Sequence, residues 1–222
     1  MADRPDAKSP DAAKRGSLAA MAAARVREDI LSKKLAAGTT VRPEDVGREL
    51  GISQTPAREA LQALRAEGFL NRTQGVGFVV APLTADDLRD IFTAHAFLAG
   101  ELTRRAVRNA TDADVDELEA IHYELMAAER RRDLERAEER NHAFHRLITQ
   151  LGESPKLAQI LGIVARYIPR SFYVEVEGWD AASAEDHEAI LAAFRARDAD
   201  AAREAMAEHM TNAGRILAQD FE

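Results

Sequence analysis

A chain of 222 residues, 46% hydrophobic and 31% charged, can bury a full core and is long enough for two domains, one of them small. The lack of cysteine excludes a disulfide framework and any thiolate metal site; no apolar run approaches the ~20 residues of a membrane-spanning helix, and the N-terminus has no signal peptide's apolar core, which predicts a cytoplasmic protein. The net charge of −8 is unevenly divided, with 13 Lys+Arg against 10 Asp+Glu in residues 1–82 and 17 against 28 in the rest, so a mildly basic part suited to phosphate precedes an acidic part that phosphate repels.

Residues 1–16 are rich in Ala, Asp, Lys and Pro without an apolar stripe, and read as a disordered tail with Lys8, Lys14 and Arg15 in solvent. Ser17 opens a first helix over 17–35, with Met21, Val26, Ile30 and Leu35 facing inward. A short helix over 46–50 ends at Gly51, where a helix C-terminus calls for positive φ. Thr55 then caps a third helix, and Pro56 suits its first position because its φ is preset and its missing donor is not needed. Along this helix Ala57, Ala60, Leu61 and Leu64 share one stripe, while Gln54, Arg58, Gln62 and Arg65 turn away from it. Strands over 70–72 and 78–80 enclose Gly75 and Gly77, and Ala81-Pro82 closes the domain, since proline cannot extend a strand ladder. Helix, tight turn, helix and glycine-punctuated hairpin follow the order of a winged helix-turn-helix, with the cationic face of its second helix suited to a major groove. The other reading of the same residues is a pair of amphipathic helices inside a larger bundle, where a two-glycine wing is out of place.

Residues 27–80, with Ala37-Gly38-Thr39, Ser53-Gln54-Thr55-Pro56-Ala57-Arg58-Glu59-Ala60-Leu61, Glu67-Gly68-Phe69-Leu70 and Gly75-Val76-Gly77-Phe78-Val79, resemble the GntR family of bacterial transcription regulators. In that family the second motif helix enters the major groove and the wing follows the minor groove, which implicates Ser53, Gln54, Thr55 and Arg58 on the helix and Gln74 and Gly75 on the wing. Two positions depart from the family pattern. Gln54 and Glu44 stand where arginines are usual; glutamine suits adenine rather than guanine, and a glutamate near phosphates repels them. The operator sequence therefore does not follow from the family.

From Thr84 onward the pattern is helical throughout, with helices expected over 84–109, 112–130, 133–151, 154–174 bent near Pro169, 182–197 and 199–219. Thr84-Ala85-Asp86-Asp87, Thr111-Asp112-Ala113-Asp114 and Asp180-Ala181-Ala182-Ser183 each read as a cap followed or preceded by acids that suit a helix N-terminus. The expected fold is mainly α: a disordered tail over 1–16, a winged helix-turn-helix over 17–81 and an all-helical antiparallel bundle over 82–222.

His145, one turn after Asn141, shares an inward face with it; His187 lies on the stripe of Ile190, Leu191 and Phe194, and His209 on that of Met206, Ala213 and Ile216. Three inward imidazoles on three helices fit a metal site and fit three core histidines equally, and the residues alone leave both open. Asn141-His142-Ala143-Phe144-His145-Arg146, Asp186-His187-Glu188-Ala189-Ile190-Leu191 with Arg197-Asp198-Ala199-Asp200, and Glu208-His209-Met210 resemble the signature segments of the FCD ligand-binding domain in the FadR-like branch. Many such domains hold a divalent metal with an aspartate and three histidines beside an effector pocket. The resemblance implies His145, His187 and His209 as ligands, with Asn141 at the aspartate position, and Zn²⁺ or Ni²⁺ as the ion. An amide is a weaker ligand than a carboxylate, yet three imidazoles suffice and leave coordination open. His95 stands where many members have an arginine, and Ala99 replaces the glutamate one turn on. Arg166, Arg170 and Tyr173, beside Tyr167, lie on the helix that resembles a pocket wall, and His122 and His142 are expected in solvent.

These features predict a non-enzymatic, effector-responsive transcription regulator, with a small carboxylate on the metal and, as the family implies, a homodimer on a palindromic operator. Two alternatives stay open from sequence: a dimeric DNA-binding protein whose bundle senses nothing, and a metallohydrolase using the three histidines.

Overall fold

Helix α1 (Pro10–Leu31) begins before Ser17. The segment after Pro10 is alanine-rich, and proline is at home in a first helical turn, so the helix takes in residues 10–16 as well. The structure, a computed structural model, describes residues 10–73, 75, 77–168, 179–219 and 221, and separates into two units, Met1–Leu83 and Thr84–Glu222. Met21 is 47% exposed, because the buried stripe of α1 is Ala22, Ala23, Val26, Ile30 and Leu31. The helix stops at Leu31, short of Leu35, with Lys33 at φ 60° and the Leu35 N–H donating to the Asp29 carbonyl.

Helix α2 (Pro43–Leu50) starts earlier than its apolar residues suggest, because Pro43 occupies the first position. It ends at Gly51, whose φ of 63° lets its N–H reach the Gly47 carbonyl. Gly47 is required for a different reason: a Cβ there would lie 2.9 Å from the Ile52 carbonyl oxygen, so the turn between the two motif helices closes only over a glycine. Helix α3 (Gln54–Ala66) is capped by Ser53, not Thr55, and no side-chain hydrogen bond completes that cap. Pro56 falls within the first turn, where its missing donor is one of the orphan N–H groups in any case. Pro56, Ala57, Ala60, Leu61 and Leu64 are buried against α1. Arg27 of α1 donates to Glu67 at 2.6 Å and stands 5.6 Å from the centre of the Phe69 ring, tying α1 to the end of α3.

The wing is a three-stranded antiparallel sheet in the order β1 (Thr40–Val41), β3 (Gly77–Val80), β2 (Leu70–Thr73), with Leu70 opposite Val80, Arg72 opposite Phe78 and Val41 opposite Phe78. The two-residue β1 has no periodicity of its own and forms only because β3 supplies its partners.

Among the described residues the second unit is built of helices alone. Its helices are α4 (Ala85–Asn109), α5 (Asp112–Arg131), α6 (Leu134–Leu151), α7 (Pro155–Val164), α8 (Trp179–Arg195) and α9 (Ala199–Gln219), with a 3-10 turn, Ala165–Tyr167, after α7. Thr84 and Thr111 each form a capping box, with Asp87 and Asp114. Asp180 to Ser183 lie inside α8 instead of capping it. The expected long helix over 154–174 stops at the 3-10 turn. Ile168 is extended, at φ −91° and ψ 116°, as the residue before a proline must be; Pro169 itself lies outside the described residues. Phe144, Phe194, Leu118 and Ile190 are fully buried at the centre.

Helices α4 and α9 approach each other closely at two glycines. A Cβ on Gly100 would stand 2.9 Å from the Arg203 carbonyl oxygen, and one on Gly214 would stand 2.4 Å from Cβ of Phe92. Gly214→Ala is therefore expected to destabilise the protein by ~1–3 kcal/mol through overpacking. Alanine would ordinarily gain up to ~1 kcal/mol inside a helix, but here the clash falls on the root of Phe92, which cannot swing away. Urea unfolding followed by circular dichroism measures the sign; a stabilised variant refutes the close packing.

Candidate functional site

In the first unit Ser53, Gln54, Thr55 and Arg58 are all exposed at the N-terminal end of α3, because the buried stripe leaves that side to solvent. The Arg58 guanidinium lies 3.9 Å from the Glu44 carboxylate, with more than 40% of each side chain exposed. Arg42, Glu44, Arg58, Gln62, Arg72 and Gly75 line a groove between α3 and the wing. Gly75 takes φ +77° and Gly77 φ +107°, conformations that favour glycine and shape the wing tip. Gln74 lies outside the described residues. Arg42 and Arg72 were not singled out from sequence; β2 is buried only at Leu70 and exposed from Asn71 to Thr73, so its period carried no signal for Arg72.

In the second unit α6, α8 and α9 bring His145, His187 and His209 together, with one ligand atom from each within 4.8 Å of the others. The Nε2 atoms of His145 and His209 are 3.3 Å apart. Tetrahedral zinc with bonds of ~2.0–2.1 Å separates its ligand nitrogens by about 3.3–3.4 Å, so this spacing suits a shared ion. Phe144 stacks on the His187 ring at 4.3 Å and 17° and fixes its plane. Both ring nitrogens of His187 and both amide atoms of Asn141 are buried without a hydrogen-bond partner. Such atoms are costly to leave unpaired, and a cation in their midst would account for the two acceptors among them, the Asn141 oxygen and one ring nitrogen of His187. Burial, then the neighbouring imidazoles, hold His145 and His187 well below the ordinary histidine pKa. Both are neutral near pH 7 and present lone pairs, as metal ligands must.

Asp186 was missed from sequence. Its carboxylate lies 3.2 Å from His209 Nδ1 and accepts from the Asn212 amide at 3.3 Å. Burial alone would raise its pKa, but these hydrogen bonds bring it below the ordinary carboxylate value. With Nδ1–H given to the carboxylate, His209 turns Nε2 toward the cluster, the arrangement that orients metal-ligating imidazoles. Adjacency to His187 was the only sequence signal.

His122 is not in solvent. It is 2% exposed, its ring 5.7 Å from that of His187, because the α5 stripe of Val115, Leu118, His122 and Leu125 carries it inward. His142 is exposed and pairs with Glu138 at 3.4 Å.

A cavity of about 400 Å³ adjoins the cluster, lined by His95, His145 and His209 together with Phe92, Met206 and others. His95 is buried, its Nδ1 lacks a hydrogen-bond partner, and burial followed by the nearby His209 pushes its pKa down to about 4. Arg166 is exposed and absent from the lining, where Ala165 and Ile168 stand. Three residues per 3-10 turn put 165 and 168 on one face and 166 off it. Among the described residues the arginine on the lining is Arg146. Arg170 and Tyr173 lie outside the described residues. No helix among the described residues is long and apolar enough to cross a membrane.

A family model described as the FCD domain matches residues 90–212, and one described as bacterial regulatory proteins, gntR family, matches residues 18–80. Over 206 residues, 88% of this chain and 83% of the other, the sequence is 26% identical to an uncharacterized HTH-type transcriptional regulator, BphR, of Paraburkholderia xenovorans. Over 78 residues, 35% of this chain and 37% of the other, it is 37% identical to the Nta operon transcriptional regulator of Aminobacter aminovorans. The solved structure of E. coli McbR/YncC matches with a TM-score of 0.72 and 24% identity, over 92% of this chain and 99% of that one, which shows a shared fold.

Proposed function

This chain belongs to the FCD-domain branch of the gntR family of bacterial regulatory proteins and is a transcription regulator, and from that premise we propose that its second unit is a metal-bearing sensor for a small carboxylate that tunes operator binding by the first. The observation that carries the reading is the convergence of His145, His187 and His209 within 4.8 Å beside a cavity of about 400 Å³. These three imidazoles would hold one divalent ion, Zn²⁺ or Ni²⁺, with Asn141 as a weak fourth ligand or hydrogen-bonding neighbour. When bound, the ion supplies positive charge and open positions for carboxylate oxygens. Asp186 holds His209 in the ligating orientation, and Phe144 holds the His187 ring plane.

The carboxylates next to His187 argue against hydrolysis. Glu188 pairs with Arg195 at 2.7 Å, and Asp186 is occupied by His209 and Asn212, so neither is poised as a general base.

In the first unit Ser53, Gln54, Thr55 and Arg58 form the base-reading end of α3, and the wing around Gln74 and Gly75 follows the minor groove. Two such heads in a homodimer read a palindromic operator. The effector acts by binding one arrangement of the heads more tightly than another, the only way a ligand shifts an equilibrium. Gln54→Arg is expected to change the preferred sequence at one position of each half-site, by ~1–3 kcal/mol, because glutamine suits adenine and arginine suits guanine. Selection from a randomised duplex library tests both function and assignment: no enrichment by the parent overturns DNA recognition, and one consensus for both proteins overturns the role of Gln54.

A further inference from the structure

The cavity beside the cluster is built mainly from carbon. Phe92, Ile148, Leu161, Met206, Met210 and Ala213 supply its apolar lining. The two threonines of the lining have their hydroxyl protons engaged: Thr103 donates to the Ala99 carbonyl and Thr149 to the His145 carbonyl, each at 2.8 Å. They offer lone pairs, which repel carboxylate oxygens rather than bind them. Arg146, the arginine among the described lining residues, is exposed and so meets a ligand from the solvent side. Among the described lining residues, a second carboxylate placed deep in this cavity would be desolvated among methyl groups and lone pairs without a compensating donor, since His142 and Gln150, like Arg146, are exposed at the solvent side. One buried polar atom does await a ligand. His95 Nδ1 has no hydrogen-bond partner, and His95 lines the same cavity as His145 and His209.

We propose that the effector is a monocarboxylate with an apolar aliphatic or aromatic body, its carboxylate at the histidine cluster and hydrogen-bonded by His95, its body against Phe92, Ile148, Leu161 and the two methionines. This rests on the reading of the cavity as the effector site. It excludes polyols and dicarboxylates of similar size as the preferred ligands. Methionines suit such a body because their unbranched side chains adapt to aliphatic chains and to ring edges. Deep apolar burial around one polar anchor is the usual composition of a selective small-molecule pocket.

Calorimetric titration of the full chain, Zn²⁺-loaded, with benzoate, hexanoate, succinate and glutarate tests the proposal. Benzoate and hexanoate are expected to bind at least ~10-fold more tightly than the two dicarboxylates, a difference of about 1.4 kcal/mol. Dicarboxylates that bind as well or better overturn it, and so does the absence of binding by all four. His95→Leu and His95→Phe keep the volume and remove the donor. Each is expected to weaken benzoate about tenfold without changing zinc content or melting temperature. Parent-like benzoate affinity in a folded variant of this pair overturns the role of His95. Elemental analysis separates this proposal from the reading beneath it: a chain that takes up no zinc yet ranks the four acids as expected keeps the ligand class and loses the metal, whereas a zinc-loaded chain that prefers succinate keeps the metal and loses the class.

Discussion

Arg58→Ala is expected to abolish operator binding at physiological salt while leaving the fold intact. The side chain is more than half exposed, and its ion pair with Glu44 at 3.9 Å is a surface contact worth ~0–1 kcal/mol. Nothing in the core depends on it, since the buried stripe of α3 runs through Ala57, Ala60, Leu61 and Leu64. On DNA the balance reverses. Loss of an arginine that contacts a base or phosphate costs ~1–3 kcal/mol per site, and in a homodimer both heads lose it, roughly 2–6 kcal/mol in all. Gel shift at two salt concentrations measures the loss, with thermal unfolding as the control. An Arg58→Ala protein that shifts operator DNA like the parent sinks the assignment of α3 as the reading helix.

The second large effect concerns the metal. Purified without chelator, the protein is expected to carry one divalent ion per subunit, and removal by EDTA to lower its stability. At a hundredfold excess over Kd, an ion that binds only the folded state contributes about 2.7 kcal/mol, roughly 5–10 °C in melting temperature for a chain of this size. His187→Ala should eliminate both the ion and the response to effector, with apo DNA affinity unchanged. His187→Gln repeats the test with less loss of volume, because the ring is fully buried under Phe144. Asn141→Asp should bind the ion more tightly, an anionic oxygen attracting it more than an amide oxygen does. If elemental analysis finds no metal, and Zn²⁺ or Ni²⁺ raises the melting temperature of Asn141→Asp but never of the parent, the three histidines are polar groups of the pocket and not ligands.

Much of the architecture was legible before any coordinates. The period of Ala57, Ala60, Leu61 and Leu64 marked the buried face of α3, Gly51 marked the end of α2, and Thr84 and Thr111 marked two helix starts, because each signal is written within a few residues of where it acts. The spacing of Asn141 and His145 likewise set them on one face of α6. What that face meets is not local information. Asp186 reaches His209 across two helices, His122 turns into the core beside His187, and Arg146 rather than Arg166 stands on the cavity wall. β1 exists only through its pairing with β3, and Met21 lost its inward place to Ala22 and Leu31 by the phase of α1 against α3. A sequence by itself determined most apolar faces and those helix ends that carry a local cap, such as Gly51, Thr84 and Thr111, since short-range hydrogen bonds and side-chain periodicity decide those, whereas the ends of α1 and α7 shifted from where the pattern put them. Only the packed tertiary structure decided which polar atoms share a space, because that depends on helix phase and crossing, where a rotation of one residue position, about 100°, exchanges a ligand for a surface group.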